Sequence, residues 1–303
     1  MMKLNKINKR KTKTEKSVVV EEVKKLSSVD KLFFAEVEKI SAKDLFPQYD
    51  FNSYNNTIVK VKTEDKEIIV NNSSEGYLLI SNNDIFPKLE EGLKEMGKFT
   101  VEREVRDYSS FFVNYHFIDK ERKIKIEGTN VELYPSIFIQ NSYNSRYLFT
   151  IIPCFYNKSN GVVLCLPIDD SEEDMGFNVI LSHCVGNSEM VEEALEGIHD
   201  FLESSEEIVE AYEALLKFKV NELDIDVTVE KILRGAKSLI SYKDNIVEYL
   251  KTQNLSDITM FDIYNAIIFM AQPENNEKIT SDPSARRKTD EKILDYIFKL
   301  VEN

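Results

Sequence analysis

What this chain lacks narrows it first. It has three cysteines in 303 residues, an odd number and too few for a disulfide framework, which fits a reducing compartment. None of them (Cys154, Cys165, Cys184) is spaced as the C-x-x-C pair of a structural zinc site, and each sits inside an apolar strand-like run, where small buried thiols are expected. No apolar run approaches the roughly 18 residues of a membrane span. The basic N-terminus has no apolar core of the secretory kind. Glycine is sparse, with nine residues, and none of them builds a Walker A loop or a G-x-G-x-x-G fingerprint. H-E-x-x-H is absent too, so the sequence signatures of ATP, dinucleotide and zincin sites are missing. The acidic run Asp169–Asp174 lacks the glycine and terminal glutamate of an EF-hand loop. His183 adjoins Cys184, but adjacency in sequence makes neither an activated thiolate nor an oriented base. The expectation is a cytoplasmic, non-enzymatic protein without metal or cofactor and without a membrane role.

Charge is plentiful and unevenly spread. The formal net charge is −14, yet the first sixteen residues hold seven Lys/Arg against Glu15 alone, a balance of +6 that leaves −20 for the remainder. An acidic body repels phosphate at long range, so any nucleic-acid binding must use a local basic strip. Residues 1–28 read as a flexible basic arm, either a tether for nucleic acid or a solvated tail. Val18–Val20 adds one short strand or helical turn to it.

Apolar spacing then divides the rest. Asp30 to Ile40 reads as a short helix with Asp30 as its N-cap. Thr57–Lys62, Lys66–Val70 and Tyr77–Ile80 read as strands. A helix from Asp84 to Met96 follows, capped by Asn82 or Asn83, ended by Gly97, and apolar along Ile85, Phe86, Leu89, Leu93 and Met96. Phe99–Ile118 begins as a strand and becomes strongly aromatic. Alternation puts Phe111, Val113, Tyr115 and Phe117 on one face and Phe112, Asn114, His116 and Ile118 on the other. Asp119–Arg122 reads as a hairpin turn, with Lys123–Ile126 returning beside the aromatic strand. From Val131 to Asn187, apolar runs alternate with Asn/Ser/Gly turns, the pattern of an antiparallel sheet. Strands are expected up to Gln140, at Arg146–Ile152, Val162–Ile168 and Phe177–Cys184, with turns at Asn141–Ser145 and Asn157–Gly161. Pro135 implies an edge or a bulge.

After Asn187 the period becomes helical. Glu189–Val220 has an apolar stripe, a glutamate-rich face ill suited to DNA, and an expected break near Ser204–Ser205. Helices follow at Val227–Leu239, Asn245–Thr252, Thr259–Ala271 (capped by Ser256 or Asp257) and Asp290–Leu300, with a polar loop over Pro273–Arg287. Arg286–Lys288 is too short a basic cluster to be specific. The fold expected is α+β: a curved antiparallel sheet in a strand-rich core over 29–186, followed by a helical region over 187–303 packed on it.

Four segments carry a family likeness: Gly76-Tyr-Leu-Leu-Ile-Ser-Asn82; Asn141-Ser-Tyr-Asn-Ser145; Ser159-Asn-Gly161 with the later Ser182-His183; and Tyr264-Asn-Ala266. Over Val59 to Leu300 the chain resembles the phage/plasmid-like proteins grouped as domain of unknown function 932. It departs from them in lacking the glycine of the second segment and in having Lys158 where a cysteine stands. The resemblance implies a mobile-element protein, with a role in DNA transactions. The strand-rich core followed by helices is similar to single-strand annealing proteins of the RecT and Erf type.

The leading expectation is therefore a phage- or plasmid-encoded protein that binds single-stranded nucleic acid, in recombination or annealing. Lys120, Arg122, Lys123, Lys125, Arg146 and Lys158 would meet phosphates, and Tyr115, Tyr143 and Tyr156 would stack bases. The alternative is a virion-assembly or protein-interaction component that touches no nucleic acid. A homo-oligomer suits either.

Overall fold

Strict alternation builds the centre of the protein. Every second residue of the aromatic strand points one way and is fully buried: Phe111, Val113, Tyr115 and Phe117. In the computed structural model, which describes residues 27–51, 56–126, 129, 131–165, 179–181, 187–221, 224–253, 257–272 and 283–301, this strand lies inside a curled antiparallel sheet. The chain runs α1 (Ser28–Phe33), β1 (Glu36–Ser41), α2 (Ala42–Leu45), β2 (Thr57–Lys62), β3 (Glu67–Ser73), α3 (Asn82–Met96), β4 (Phe99–Arg106), β5 (Ser110–Phe117), β6 (Ile124–Lys125), β7 (Glu132–Ser142), β8 (Phe149–Asn157), β9 (Val162–Cys165) and β10 (Val179–Leu181). It continues with α4 (Asn187–Leu216), β11 (Lys219–Val220), α5 (Ile225–Leu233), a 3-10 helix (Lys237–Tyr242), α6 (Lys243–Thr252), β12 (Ile258–Thr259), α7 (Met260–Met270) and α8 (Pro283–Val301).

The large sheet has the order β10-β8-β7-β5-β4, with β6 added to β7 and β9 to β8; β1-β2-β3 form a second sheet and β11-β12 a third. The protein is thus α+β, a curled half-barrel of strands followed by a helical region. The inner face of the half-barrel, with Leu133, Ile137, Ile139, Phe149, Ile151 and Phe155, shares one apolar core with α3, α4 and α7. Ile85, Phe86, Leu89 and Leu93 of α3 are each at most 2 % exposed, worth about 1.5–3 kcal/mol apiece in burial.

Two prolines sit in the interior of this sheet, where a ladder hydrogen bond should be missed. The register explains how both are accommodated. On one flank of β7 the partner changes from β6, which pairs at Glu132 and Leu133, to β5, which starts at Ser136; Pro135 lies in the gap. On one flank of β8 the partner changes from β10, ending at Ile151, to β9, starting at Cys154; Pro153 lies in that gap. Neither proline marks a sheet edge, which corrects the expectation for Pro135.

Other expectations are also corrected. The Asp30–Ile40 segment is a short helix followed by strand β1. Asp30 is the N3 residue of a capping box whose cap is Ser27. Tyr77–Ile80 forms no strand, and the cap of α3 is Ser81, although Gly97 ends it as expected. The basic return strand β6 pairs with β7, not with the aromatic strand β5. Helix α4 runs unbroken through Ser204 and Ser205, whose hydroxyls donate to the Asp200 and Leu202 carbonyls one turn back. Helix α7 is capped by Thr259 in a capping box with Asp262. Residues 1–26, including Val18–Val20, lie outside the described residues, as do Ile168, Asp169–Asp174, Phe177, His183 and Cys184.

Gly97 shows what the α3–β4 corner requires. Its φ is 155°, and a Cβ there would sit 2.6 Å from Asp119 Oδ2, the oxygen that accepts a hydrogen bond from the Lys98 amide at 2.6 Å. Gly97→Ala is expected to lower stability by about 1–3 kcal/mol, read as a lower urea midpoint with an unchanged slope.

Candidate nucleic-acid interface

The outer face of the half-barrel carries the other alternates of the same strands, apolar at Phe112, Phe138 and Ile152 and more polar toward the β6 end, and pairing sets them in rows. At one end Lys125 of β6 stands opposite Glu132 of β7. In the next row Tyr134 of β7 faces Tyr156 of β8, which faces Val163 of β9. Beyond it His116 of β5, Ser136 and Cys154 line up across three strands.

Lysines converge on the first row. Lys123 Nζ lies 2.9 Å from Glu132 Oε1. Hydrogen bonding to Glu132 raises the pKa of Lys123, while Lys123 above all, with Lys125 and Lys158 adding their fields, holds Glu132 below the usual carboxylate range. Lys158 extends its ammonium over the Tyr134 ring, 5.6 Å from the centroid, and its backbone amide is bonded to the Glu132 carbonyl at 3.3 Å. Three cations around one carboxylate leave the strip positive, and Lys125 and Lys158 are exposed.

The turn that holds Lys158 is built by asparagines. Asn157 Oδ1 accepts from the Ser159 amide at 3.0 Å and Asn160 Oδ1 from the Val162 amide at 3.1 Å. Both side-chain amides then donate to Asn265 Oδ1 of α7, at 3.3 and 3.1 Å. Gly161, with φ 74°, supplies the left-handed residue that closes the turn.

The structure gathers only some of the residues expected at an interface. Lys123, Lys125, Lys158 and Tyr156 share this end of the outer face, and Lys120 is exposed on the 3-10 turn Lys120–Arg122 just before it. Tyr115 and Tyr143 do not join them. Tyr115 points inward and its hydroxyl donates to Glu90 Oε1 at 2.8 Å. Tyr143 is buried with its hydroxyl accepting the Asn82 amide at 3.0 Å; burial pushes its pKa well up. Neither ring can stack a base. Arg122 is taken by carbonyls, donating to Met96 at the end of α3 at 3.1 Å and to Leu202 of α4 at 3.2 Å, with Glu203 3.6 Å away. It joins the 3-10 turn after β5 to two helices rather than meeting phosphate. Arg146 is exposed at the opposite end of β7, roughly 30 Å from Lys125 along the strands, near Asp107 at 3.8 Å.

Sequence reasoning missed Glu132, Tyr134 and His116 as parts of the site. The signal was present: alternation already set Tyr134 and His116 on the faces opposite the core residues. His116 is buried under the Tyr156 ring, stacked at a centroid distance of 4.0 Å and 22° between planes. Its Nδ1 is 2.6 Å from Ser136 Oγ, and its Nε2 is 3.5 Å from Glu102 Oε2. These are the residue types of a hydrolytic triad without its chemistry. Ser136 is fully buried. The Tyr115 carbonyl, 3.0 Å from Ser136 Oγ, competes with His116 Nδ1 for the one hydroxyl proton, and a serine sealed between strands has no room for a substrate beside it. The Cys154 thiol beside it is buried, with its pKa pushed up to about 11 by desolvation, which makes it a poor nucleophile. Among the described residues no cluster of three or more His, Cys, Asp or Glu is placed to hold a metal ion, and no helix is long and apolar enough to cross a membrane.

The segments that carry the family likeness meet in pairs. Asn141 Nδ2 donates to Asn82 Oδ1 and to the Ile80 carbonyl, both at 2.9 Å, which joins the second segment to the first. Asn160 bonds to Asn265, which joins the third to the fourth. Compared with family models, with curated proteins and with solved structures, the chain gives no match.

Proposed function

We propose that the protein is a phage- or plasmid-encoded, cytoplasmic, non-enzymatic protein that binds single-stranded nucleic acid on the outer face of its half-barrel, in recombination or annealing. One observation carries this reading: Lys123, Lys125 and Lys158 converge beside the partly exposed ring of Tyr156, which is paired with the buried Tyr134. Lysines track phosphates while a partly exposed ring offers a base its flat face, and only an unstacked strand can present a base in that way. The chain is acidic overall, so attraction must come from such a strip. The phage or plasmid origin rests on the sequence resemblance alone. The alternative, a protein-interaction or virion-assembly component, would favour a continuous apolar patch. Among the described residues, the exposed large apolar side chains Val29, Tyr49, Ile69, Ile118, Leu148, Phe218, Val227, Ile240 and Tyr296 instead fall on nine different elements and loops.

The test is anisotropy of a fluorescent single-stranded oligonucleotide titrated with protein at several salt concentrations. Three phosphate contacts give a slope of about −2 in log affinity against log salt. Lys125→Glu combined with Lys158→Glu is expected to weaken binding at least tenfold at low salt with unchanged circular dichroism. Equal affinity of this double variant, or no binding by the wild type at low salt, defeats the reading.

A further inference from the structure

Tyr156 is held in place by a residue two strands away. It stands on β8 and His116 on β5, with β7 between them, so their backbones are roughly 9.5 Å apart. The two rings nevertheless lie nearly parallel, with centroids 4.0 Å apart and 22° between planes. Ser136 makes the crossing possible. It is the β7 residue opposite His116, it is fully buried, and its side chain is too small to hold two rings apart. The imidazole below is itself fixed. It is buried, with Ser136 Oγ 2.6 Å from Nδ1 and Glu102 Oε2 3.5 Å from Nε2, so turning the ring breaks contacts on both sides. One face of Tyr156 is therefore backed by a ring that cannot move aside, and the exposure it keeps belongs to its other face and its edge.

We propose, resting on the nucleic-acid reading above, that Tyr156 is the stacking platform for one base of the bound strand and that His116 is the positioning residue that holds it flat without touching the strand. An unsupported tyrosine samples several rotamers, and ordering it as a base arrives costs affinity. A ring already stacked is preorganised and escapes most of that cost. Every base has a flat face, so such a platform is tolerant of sequence.

The place suits a nucleotide. The Tyr134–Tyr156 row adjoins the Lys125–Glu132 row, roughly 7 Å away along the strands, and Lys158 follows Tyr156 by two residues in the chain. A base on the ring thus leaves its phosphates beside the lysines. Tyr134 cannot share the task, since it is buried with the Lys158 ammonium over its ring. Glu102, exposed beyond His116, repels phosphate and so favours the β6 end for the backbone of the strand. Two kinds of affinity follow. Lysine contacts release counterions and weaken as salt rises, whereas stacking releases none and persists.

The experiment reads one titration in two ways. Anisotropy of a short labelled oligothymidylate across salt concentrations gives affinity and its slope. The same oligonucleotide with one central 2-aminopurine reports stacking, because its fluorescence is quenched against an aromatic ring. Tyr156→Ala is expected to lose about tenfold in affinity at every salt concentration, within what one base–aromatic stack contributes, with an unchanged slope and with the quenching gone. Tyr156→Phe is expected to keep both. His116→Leu fills the space without a flat ring and is expected to lose about threefold, the cost of ordering a free side chain, together with part of the quenching. His116→Phe restores a flat ring without either nitrogen and is expected to recover both signals. Circular dichroism checks each fold, and the Tyr156 pair, at a partly exposed position, tests the platform even where a buried His116 variant is unstable. A wild type that binds with a salt-dependent affinity but without quenching, or a Tyr156→Ala variant that binds as the wild type does, overturns the platform and leaves the nucleic-acid reading intact. A folded His116→Leu variant with wild-type affinity and quenching overturns the positioning role. A wild type that binds no oligonucleotide even at low salt overturns the nucleic-acid reading and the platform together.

Discussion

Arg103→Ala is expected to destabilise the protein by about 3–5 kcal/mol, the ordinary consequence of removing one partner from a mostly buried charge cluster. Arg103 leaves β4 toward the core and is met by Asp30 of α1 at 2.8 Å and by Glu90 of α3, which also accepts the Tyr115 hydroxyl at 2.8 Å. The three charged side chains are 15 %, 23 % and 19 % exposed, so water compensates little when one is lost. The guanidinium also lies 5.4 and 5.2 Å from the ring centroids of Phe33 and Phe34, over which it is cationic cover. Removing it leaves two carboxylates close together on two helices that pack through it. The measurement is a urea unfolding curve. Arg103→Met keeps volume and removes charge, and combining it with Glu90→Gln should recover part of the loss, since the double variant no longer buries an unanswered carboxylate. A single variant with the wild-type midpoint would mean that the cluster contributes packing only. Acid should weaken the same region. Asp30 is held below its usual range, first by the Ser27 hydroxyl and further by Arg103. A depressed carboxylate stabilises above its unfolded value of about 3.9 and loses that contribution as pH falls through the folded value.

How much of this could be read in the sequence depends on how far apart the deciding residues are. Helix α3 was legible because its apolar stripe and its C-terminal glycine lie together in one short stretch, Asn82 to Gly97. The alternation in β5 and β7 was legible too. What it could not tell was which face is core: Tyr115 and Tyr156 look alike in sequence, and α3 and α4 decide that one is buried inside while the other stays partly exposed. Strand β1 was misread because it buries almost nothing and so has no period to see. Arg122 looked like a free cation on a turn. Its partners are carbonyls at Met96 and Leu202, the second lying 80 residues away. The gathering of Lys123 and Lys125 with Lys158 was likewise invisible until β6 was seen to pair with β7, so only the components of the strip were legible.

Asn82→Ala is expected to cost about 2–5 kcal/mol, because it strands two buried partners and each unsatisfied group costs about 1–3 kcal/mol. Asn82 is fully buried at the first position of α3. Its Nδ2 donates to the Phe33 carbonyl at 2.9 Å, its Oδ1 accepts from Asn141 at 2.9 Å, and its backbone amide donates to Tyr143 Oη at 3.0 Å. One residue thus ties α1, the start of α3 and the β7–β8 turn. Tyr143→Phe removes only the acceptor at the helix start while leaving the ring packed on Phe111 at 4.5 Å, and should cost less, about 1–2 kcal/mol. The two losses should fall short of adding in the double variant, since both act on one network; strict additivity in urea would refute the network. Asn82 and Tyr143 belong to two of the segments that carry the family likeness, and here they are spent on each other. Their identity is accounted for by a buried hydrogen-bond lock between the half-barrel and its first helices. Ligand chemistry therefore has to be sought away from this lock, on the outer face with the exposed Lys125 and Lys158.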